Sequence, residues 1–392
     1  MNFKAVIGAN YGDEGKGLMV DYFTLNSDKS LVILTNGGAQ RGHTVNHKSL
    51  GHHVFHHYGS GTLNGADTYC SKFFMINPLV ILKEFDELKT KFNITPLLYI
   101  DKDCRFTTPW DMMVNQFDAE DNNHHRTCGM GIFNTLTRYT CKENNSKTIG
   151  EYLNLDNDQR IRYLKDIREL YKDRISIIEK NKNLYYNDNI LNNFFNDLNQ
   201  LLNDSNMIRI VNGLSDILLN NSYKDIVFEN AQGLNLSWSN DPILKEYTTP
   251  SITGVSCLNE LLKGIDNYNL EVCYVTRSYI TRHGDGPLND EVDPCQLNPY
   301  IVEKTNLCNQ YQGQLRYGRM DQNLENRVLT DFNKLDKKIL SNSKMSIAIT
   351  HLDEVDFENK EILNKYNIYK SYSPHADRII YWSFSYYMLR LS

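Results

Sequence analysis

The feature that most constrains the fold is an apolar run that ends in a glycine-rich loop. The run, Phe3–Ile7, is followed by Gly8-Ala9-Asn10-Tyr11-Gly12-Asp13-Glu14-Gly15-Lys16-Gly17. A short β-branched and aromatic run that breaks into glycines predicts a strand, a phosphate-binding loop and then a helix, from about residue 15 to 24. Glycines let backbone N–H groups approach phosphate oxygens, and the helix N-terminus adds positive potential.

The loop differs from the common P-loop, in which a hydroxyl residue follows the lysine. In this chain Gly17 follows Lys16, so the hydroxyl that normally binds Mg²⁺ is missing. A carboxylate in the loop, Asp13 or Glu14, would serve instead, because Mg²⁺ prefers oxygen ligands. Acidic residues within a phosphate loop predict a site that binds a nucleotide and also transfers protons.

Composition excludes several classes of protein. The chain has 392 residues, 41% hydrophobic and 23% charged, with a net charge of −6. No basic excess indicates a nucleic-acid partner. The longest apolar stretch, residues 73–82, is interrupted and too short to span a membrane. Eight scattered cysteines without CxxC pairs, and a first strand that leaves no room for a signal peptide, predict a cytoplasmic protein with reduced thiols.

Short apolar runs recur along the chain and predict strands at Lys4–Ala9, Leu31–Asn36, Leu97–Asp101, Asp225–Glu229, Glu271–Thr276 and Ser346–Thr350. Helical or loop stretches separate them, which is typical of an α/β fold with a large, mostly parallel central sheet flanked by helices. Between residues 157 and 220 the apolar residues recur at helical spacing. We therefore expect one domain over residues 1–392, with a helical insertion at about 157–220 that carries no chemistry.

A second glycine-rich turn follows the second predicted strand and leads to Gly42-His43-Thr44. A histidine at such a strand end is a candidate general acid, although a buried structural imidazole would give the same pattern. Four further histidines lie at positions 52, 53, 56 and 57. Adjacent residues on a strand do not converge on one ion, and no cysteine or carboxylate follows at ligand spacing, so this cluster does not favour zinc.

Further motifs follow in order along the chain and together resemble the adenylosuccinate synthetase family. Besides Gly12–Gly17 and Gly42–Thr44, the similar segments are Tyr58–Gly61, Thr127–Ile132, Phe228–Gly233, Tyr247–Ser251, Thr281–Pro287, Arg316–Asp321 and Thr350–Asp353. The resemblance covers residues 5 to about 378. It implies a P-loop-like core related to that of GTPases, Mg²⁺ as a cofactor, GTP as phosphate donor and a homodimer.

The resemblance also implies the reaction. Enzymes of this family phosphorylate the 6-oxygen of inosine monophosphate (IMP) with GTP, and the amine of aspartate then displaces that phosphate. By this resemblance Asp13 takes the purine N1 proton, His43 donates to O6 and the phosphoryl group, and Lys16 binds the β- and γ-phosphates. Asp13 and the Gly42 carbonyl match Mg²⁺ ligands. Asp353 matches the carboxylate that recognises guanine.

The remaining implied site residues fall into three groups. Gln232 joins Asp13, His43 and Lys16 as a catalytic residue. The implied donor-nucleotide contacts are Gly12, Glu14, Gly15, Gly17, Thr44, His351, Asp353, Ser373 and Pro374. The implied substrate contacts are Gln40, Arg41, Thr127, Lys142, Thr249, Arg282, Gln314 and Arg316.

Several positions depart from the family pattern, and they cluster around the substrate. Gln40 and Arg41 replace Asn and Ala, and Met130 replaces an arginine. In the segment 311–318, which resembles the loop that clamps aspartate, Gln314 stands where an arginine reaches the nucleotide ribose. An amide does not replace a bidentate arginine, so the amino-acid and ribose specificity stay open. Lys142 keeps the charge of an arginine that reaches a neighbouring subunit's nucleotide.

Three functions are therefore compatible with the sequence. The first is an adenylosuccinate synthetase acting on IMP. The second is a ligase of the phage type, which joins aspartate to dGMP for 2-aminoadenine synthesis, with ATP or dATP as a possible donor. The third is a nucleotide-binding regulator without catalysis. The altered arginine loop favours the second, whereas Asp13, which would crowd a purine 2-amino group, favours the first.

Overall fold

A ten-stranded sheet forms the centre of the computed structural model, which describes residues 1–121, 128–177, 182–238, 252–303 and 314–383. All neighbouring strands run parallel except the first pair, which is antiparallel. In spatial order the strands are β17 (Ile380–Trp382), β16 (Asn367–Lys370), β15 (Ser343–Thr350), β11 (Asn269–Arg277), β1 (Asn2–Gly8), β10 (Asp225–Gly233), β2 (Ser30–Leu34), β5 (Asp67–Cys70), β7 (Leu98–Asp101) and β9 (Ile208–Val211).

Three small sheets accompany the large one. A hairpin joins β3 (His43–His47) to β4 (Gly51–Phe55). A parallel pair consists of β6 (Met75–Ile76) and β8 (Arg105–Phe106). The third sheet has the spatial order β12 (Ile280–Arg282), β14 (Arg316–Gly318) and β13 (Glu291–Val292).

The helices flank the sheet. They are α1 (Lys16–Thr24), α2 (Pro78–Phe92), α3 (Pro109–Asp121), α4 (Ile132–Thr140), α5 (Ile149–Leu153), α6 (Asn157–Leu170), α7 (Lys172–Ile177), α8 (Lys182–Tyr185), α9 (Asp188–Asn203), α10 (Leu214–Asn220), α11 (Ser256–Leu261), α12 (Pro294–Leu297), α13 (Leu324–Phe332), α14 (Lys337–Leu340) and α15 (Lys360–Leu363). Short 3₁₀ helices lie at Thr62–Asn64, Lys142–Asn144, Leu234–Leu236 and Ala376–Arg378. Among the described residues, no helix combines the length and apolar character needed to cross a bilayer.

The predicted α/β fold with a mainly parallel sheet is confirmed, and all six predicted strands occur, as β1, β2, β7, β10, β11 and β15. The prediction of a helical insertion at about 157–220 did not include a strand. This segment contains α6 to α10 but also β9, the edge strand that pairs with β7. β9 has four residues, which is too short for the alternation of apolar and polar residues to identify a strand in the sequence.

The large sheet separates two apolar cores, one on each face. Successive side chains along β1 point to opposite faces and so enter different cores. Val6 packs into the core shared with α2, α6 and α9, whereas Ala5 and Ile7 pack into the core shared with α11 and α13. β1 lies between β10 and β11, so the loop that follows it emerges at the middle of the sheet. The carboxyl ends of these parallel strands meet at one edge, where open α/β sheets bind ligands.

We expect Asp21→Asn to stabilise the protein at neutral pH. Asp21 lies on α1, where burial raises its pKa to about 6 although the Asn64 amide donates to it at 2.7 Å. Because the folded-state pKa is above the unfolded value, the stability that this acid contributes is present at low pH and is lost as the pH rises through about 6. Asparagine keeps an acceptor for Asn64 without the charge.

Urea unfolding of both proteins at two pH values checks this expectation. At about pH 8 the variant should have the higher free energy of unfolding, by about 3 kcal/mol, and near pH 4 the difference should fall below about 1 kcal/mol. A difference that does not change with pH would contradict the assignment.

Candidate functional site

A cavity of about 360 Å³ brings most of the predicted site residues together. It is lined by the loop after β1 and by residues at or beyond the ends of β10, β11 and β15. The predicted residues that line it are Gly12, Asp13, Gly15, Lys16, Gly17, Gln40, Arg41, Gly42, His43, Thr44, Gln232, His351, Asp353, Ser373 and Pro374. Residues from distant parts of the chain therefore share one site.

The loop after β1 is organised around the buried carboxylate of Glu14. The Asn10 and Gly12 amides donate to its Oε1 at 3.0 and 2.8 Å, and Lys16 Nζ donates to Oε2 at 2.8 Å. Burial favours the neutral acid, but the Lys16 ammonium and the two amides outweigh it and lower the pKa of Glu14. Glu14 is buried and is not among the residues that line the cavity, so its contacts in the structure are with the loop itself.

The glycine that replaces the P-loop hydroxyl is required by packing. A Cβ atom at Gly17 would lie 2.6 Å from the Thr44 carbonyl oxygen, closer than real Cβ contacts. The first turn of α1 therefore touches the backbone of β3 directly, which holds Lys16 beside His43. The two glycine-rich motifs of the sequence form one structural unit.

Asp13 lies at the mouth of the cavity in a left-handed backbone conformation, with φ of 57°. Its carbonyl oxygen accepts a hydrogen bond from Arg277 Nε at 2.6 Å, which holds this conformation in place. Its carboxylate Oδ2 lies 3.3 Å from Nε2 of His283, another residue that lines the cavity. Both side chains are partly accessible, so a ligand can reach the carboxylate.

His43 is held by a buried carboxylate, Glu229. Nδ1 of His43 lies 2.6 Å from Glu229 Oε1, and Nε2 lies 3.1 Å from the Ala231 carbonyl oxygen. Glu229 also pairs with Arg41 at 2.9 Å and accepts hydrogen bonds from the Ser60 amide and hydroxyl. Arg41 Nε also donates toward Nδ1, at 3.1 Å, so Glu229 and Arg41 together hold this side of the ring.

The electrostatics of this group favour a neutral ring in the empty cavity. Burial, Arg41 and Lys16 lower the pKa of His43 to about 4, although Glu229 opposes the shift. Burial disfavours the charged form of Glu229, but Arg41, His43 and Ser60 prevail and lower its pKa to about 2. Protonation of both ring nitrogens therefore requires additional negative charge nearby, such as a bound phosphate.

Arg41 lines the cavity as a predicted substrate contact, and its guanidinium also binds groups within the protein. Its side chain is fully buried, and besides Glu229 it donates to the Tyr58 carbonyl at 3.1 Å and the Ser60 hydroxyl at 3.2 Å. These contacts satisfy the guanidinium within the protein. Arg41 thus supports Glu229 and His43.

Two glutamine amides in the cavity lack partners among the described residues. Both amide atoms of Gln40 and the Oε1 atom of Gln232 are buried without a hydrogen bond. A buried polar group without a partner costs about 1–3 kcal/mol, so such groups are rare unless a ligand completes them. The polar atoms that converge on this cavity fit a polar ligand with several donors and acceptors.

The far end of the cavity is formed by the segment after β15. His351 has a positive φ of 58°, and its Nδ1 lies 2.8 Å from the Thr350 hydroxyl. Burial and Arg277 lower the pKa of His351, so its ring is neutral and can pack against a base. Asp353, Ser373 and Pro374 line the same end.

Other predicted residues lie outside the cavity lining. All three guanidinium nitrogens of Arg316 bind protein groups, namely the Glu291 carboxylate and the carbonyls of Gly284 and Gly286. Arg282 donates to the Pro287 carbonyl at 2.7 Å and stacks over Tyr11. Gln314 is an exposed residue before β14, and Lys142 begins a 3₁₀ helix. Thr127 and Thr249 lie outside the described residues.

The cavity also offers ligands that fit Mg²⁺. Asp13 and Gly42 line the same space and supply a carboxylate and a carbonyl oxygen, which are hard ligands. The described residues contain no cluster of three or more His, Cys, Asp or Glu that would form an all-protein metal site. Mg²⁺ is commonly held by one or two carboxylates together with substrate phosphates, so this sparse set is suitable.

Comparison with known proteins identifies the family. A family model described as adenylosuccinate synthetase matches residues 5–377. The chain belongs to the adenylosuccinate synthetase family. Members of this family are C–N ligases, which confirms the enzyme class expected from the motifs.

The chain is 27% identical to the adenylosuccinate synthetase of Borrelia duttonii over 369 residues, covering 90% of this chain and 77% of the relative. For adenylosuccinate synthetase 1 of Photorhabdus laumondii, identity is 26% over 362 residues, covering 89% and 78%.

Two solved structures share the synthetase fold. The fully ligated adenylosuccinate synthetase of Plasmodium falciparum has a TM-score of 0.63 at 22% identity, with 90% of this chain and 77% of that chain covered. The succinoaminodeoxyadenylate synthetase of cyanophage S-2L, bound to dGMP and to dATP as an energy donor, has a TM-score of 0.64 at 14% identity, with 97% and 95% covered.

Sequence reasoning missed three functional contacts. Glu229 lies in the motif Phe228–Gly233. Its position as an acidic residue within an apolar strand was a signal of a functional role. Arg277 ends β11 and gives no sequence signal for its contact with Asp13. His283 stands in the motif Thr281–Pro287, where the family pattern has valine, and this difference was a usable signal.

We expect Glu14→Gln to destabilise the protein strongly. The change leaves the buried Lys16 ammonium without its counter-charge, which typically costs about 3–5 kcal/mol. Glu260→Gln is the control, because it weakens two surface ion pairs, with Lys72 and Lys263, and should change stability little. Urea unfolding compares the free energies of unfolding of the two variants. The double variant with Glu14→Gln and Lys16→Met should recover part of the stability that Glu14→Gln loses. Equal effects of the two single changes would show that Glu14 does not organise the loop.

Proposed function

We propose that this synthetase joins L-aspartate to C6 of a purine nucleoside monophosphate, with IMP as the acceptor and GTP as the phosphate donor. The observation that carries the proposal is the convergence of Asp13, Lys16 and His43 on one cavity that also contains unpartnered amides. A carboxylate, an ammonium and an imidazole are the groups that proton removal, phosphate binding and oxygen protonation need.

The first step that we assign to Asp13 is removal of the purine N1 proton. Negative charge then moves onto O6, which attacks the γ-phosphorus of the donor, and the bond to the β-phosphate oxygen breaks. The carboxylate is accessible from the cavity, and the hydrogen bond from Arg277 to its backbone fixes its position. Preorganisation of this kind lowers the barrier because no reorientation is needed during the reaction.

We assign to His43 the donation of a proton or hydrogen bond from Nε2 to O6 and the transferred phosphoryl group. Glu229 holds Nδ1, and a substrate oxygen would take the place of the Ala231 carbonyl beside Nε2. The phosphates of a bound donor add negative charge that raises the pKa of His43 and favours the protonated ring. Bound Mg²⁺, held by Asp13 and the Gly42 carbonyl, would neutralise phosphate charge.

The second candidate is the phage-type reaction, in which dGMP is the acceptor and ATP or dATP a possible donor. The extent of the structural match supports this candidate. This chain covers 95% of the cyanophage enzyme's chain but 77% of the Plasmodium enzyme's chain. Gln314, at an implied ribose-contacting arginine position, also favours a deoxyribose. Asp13 favours IMP, because its carboxylate would lie against a 2-amino group.

An absorbance assay with purified protein, Mg²⁺ and aspartate separates these functions. Four acceptors, IMP, dIMP, GMP and dGMP, are each tested with GTP, ATP and dATP. We expect N6-succinyl product from the acceptors without a 2-amino group and the highest kcat/KM with IMP and GTP. Product from dGMP alone would establish the second candidate. Nucleotide binding without product from any pair would leave a regulatory protein and overturn both enzymatic proposals.

We also propose that the enzyme acts as a homodimer in which Lys142 reaches the partner's nucleotide. The family resemblance supports the dimer, and Phe133, on α4 shortly before Lys142, is 59% exposed and available for a contact there. We place the reaction in the cytoplasm, since the cysteines among the described residues are all free thiols.

Light scattering during size exclusion tests the dimer. We expect a mass near twice 45.6 kDa, and Phe133→Glu should shift the protein toward monomer because it places a charge in an apolar contact. Phe73→Glu is the control at another exposed phenylalanine. A monomer with full activity would remove Lys142 from the site.

A further inference from the structure

We propose that His283 is a positioning residue for Asp13, a role that rests on the proposed function. Its Nε2 lies 3.3 Å from the Asp13 Oδ2 atom, and both residues line the cavity. Catalytic hydrogen bonds in structures without substrate are often long and tighten when the substrate binds. His283 would then occupy Oδ2, which leaves Oδ1 to face the purine.

The segment that carries His283 is braced from two directions. It leaves β12 and passes through two glycines, Gly284 and Gly286, whose φ values of 71° and 104° suit glycine. Arg316 Nη1 donates to both of their carbonyls, at 3.0 and 2.9 Å. A salt bridge to Glu291 holds Arg316 in turn. The turn that presents His283 is therefore rigid without a ligand.

A second brace acts at the residue before His283. Arg282 Nη1 donates to the Pro287 carbonyl at 2.7 Å, which closes the base of the same turn. The Arg282 guanidinium also lies 4.7 Å from the Tyr11 ring centroid, and Tyr11 belongs to the loop that carries Asp13. Two contacts thus connect the His283 turn to the Asp13 loop. One joins His283 to Asp13, and the other joins Arg282 to Tyr11.

The ring of His283 has few alternative partners. Its Nδ1 is buried and accepts no hydrogen bond from the described residues. A carboxylate near Nε2 favours a proton on that nitrogen. The hydrogen bond orients the carboxylate and keeps it from rotating away from the substrate. Partners of this kind typically change activity by about 10- to 100-fold.

Steady-state kinetics of three variants test the proposal with the acceptor and donor that the absorbance assay selects. We expect His283→Val to lower kcat by about 10-fold or more while the KM values for both nucleotides change little. His283→Gln keeps an N–H donor near Oδ2 and should recover most of the lost kcat. His52→Val is the control, because His52 is exposed on β4 and lies outside the cavity lining.

A second readout does not depend on turnover. Nitrogen-15 NMR of histidine-labelled protein reports which ring nitrogen carries the proton, and loss of one signal in His283→Gln assigns His283. We expect the Nε2–H tautomer in the native protein and a shift toward Nδ1–H in Asp13→Ala, whose carboxylate is gone. A merely structural role of His283 would leave the tautomer unchanged in this variant.

The outcomes separate this inference from the proposed function. Wild-type kcat in His283→Val, or a tautomer that does not respond to Asp13→Ala, overturns the role of His283 while the ligase proposal stands. Absence of product from the native protein overturns the proposed function, and the NMR result then decides on the Asp13–His283 contact alone. An equal loss in His283→Gln and His283→Val would exclude the hydrogen bond as the cause.

Discussion

The site depends on the buried ion pair between Glu14 and Lys16. One carboxylate gathers the Asn10 and Gly12 amides and the Lys16 ammonium, so the loop after β1 has a defined shape before any nucleotide binds. Burying a charge is costly unless it is fully paired, and Glu14 receives hydrogen bonds from all three groups. The same pair keeps a cation beside the cavity and leaves Asp13, the residue before Glu14, facing the cavity.

A second buried carboxylate organises the other half of the site. Glu229 binds His43, Arg41 and Ser60, and Gly17 permits α1 to touch the β3 backbone beside that histidine. Each half thus has an internal acid that fixes the geometry and an accessible group that meets the ligand. The proposed chemistry uses Asp13 from one half and His43 from the other, and it is the packing of α1 on β3 that brings the two halves together.

Much of this arrangement could be predicted from the sequence. The apolar runs predicted the strands because β-branched runs that end in glycine have few alternatives, and colinear motifs predicted the family. Sequence periodicity could not predict β9, because this strand is too short. It also could not predict that β1 pairs with β10 and β11, because these strands lie more than 200 residues away in the chain. The role of Arg41 was also hidden, because an arginine beside a substrate motif looks the same whether it binds a ligand or an internal carboxylate. Its actual partner, Glu229, lies far along the chain.

The central claim is that this cavity drives phosphoryl transfer to the purine 6-oxygen, which then leaves as phosphate when aspartate attacks C6. An acceptor labelled with oxygen-18 at O6 tests the claim directly, since phosphorus NMR separates labelled from unlabelled inorganic phosphate. We expect the label to appear in the released phosphate in proportion to the succinyl product. Product formation with the label absent from phosphate would contradict it.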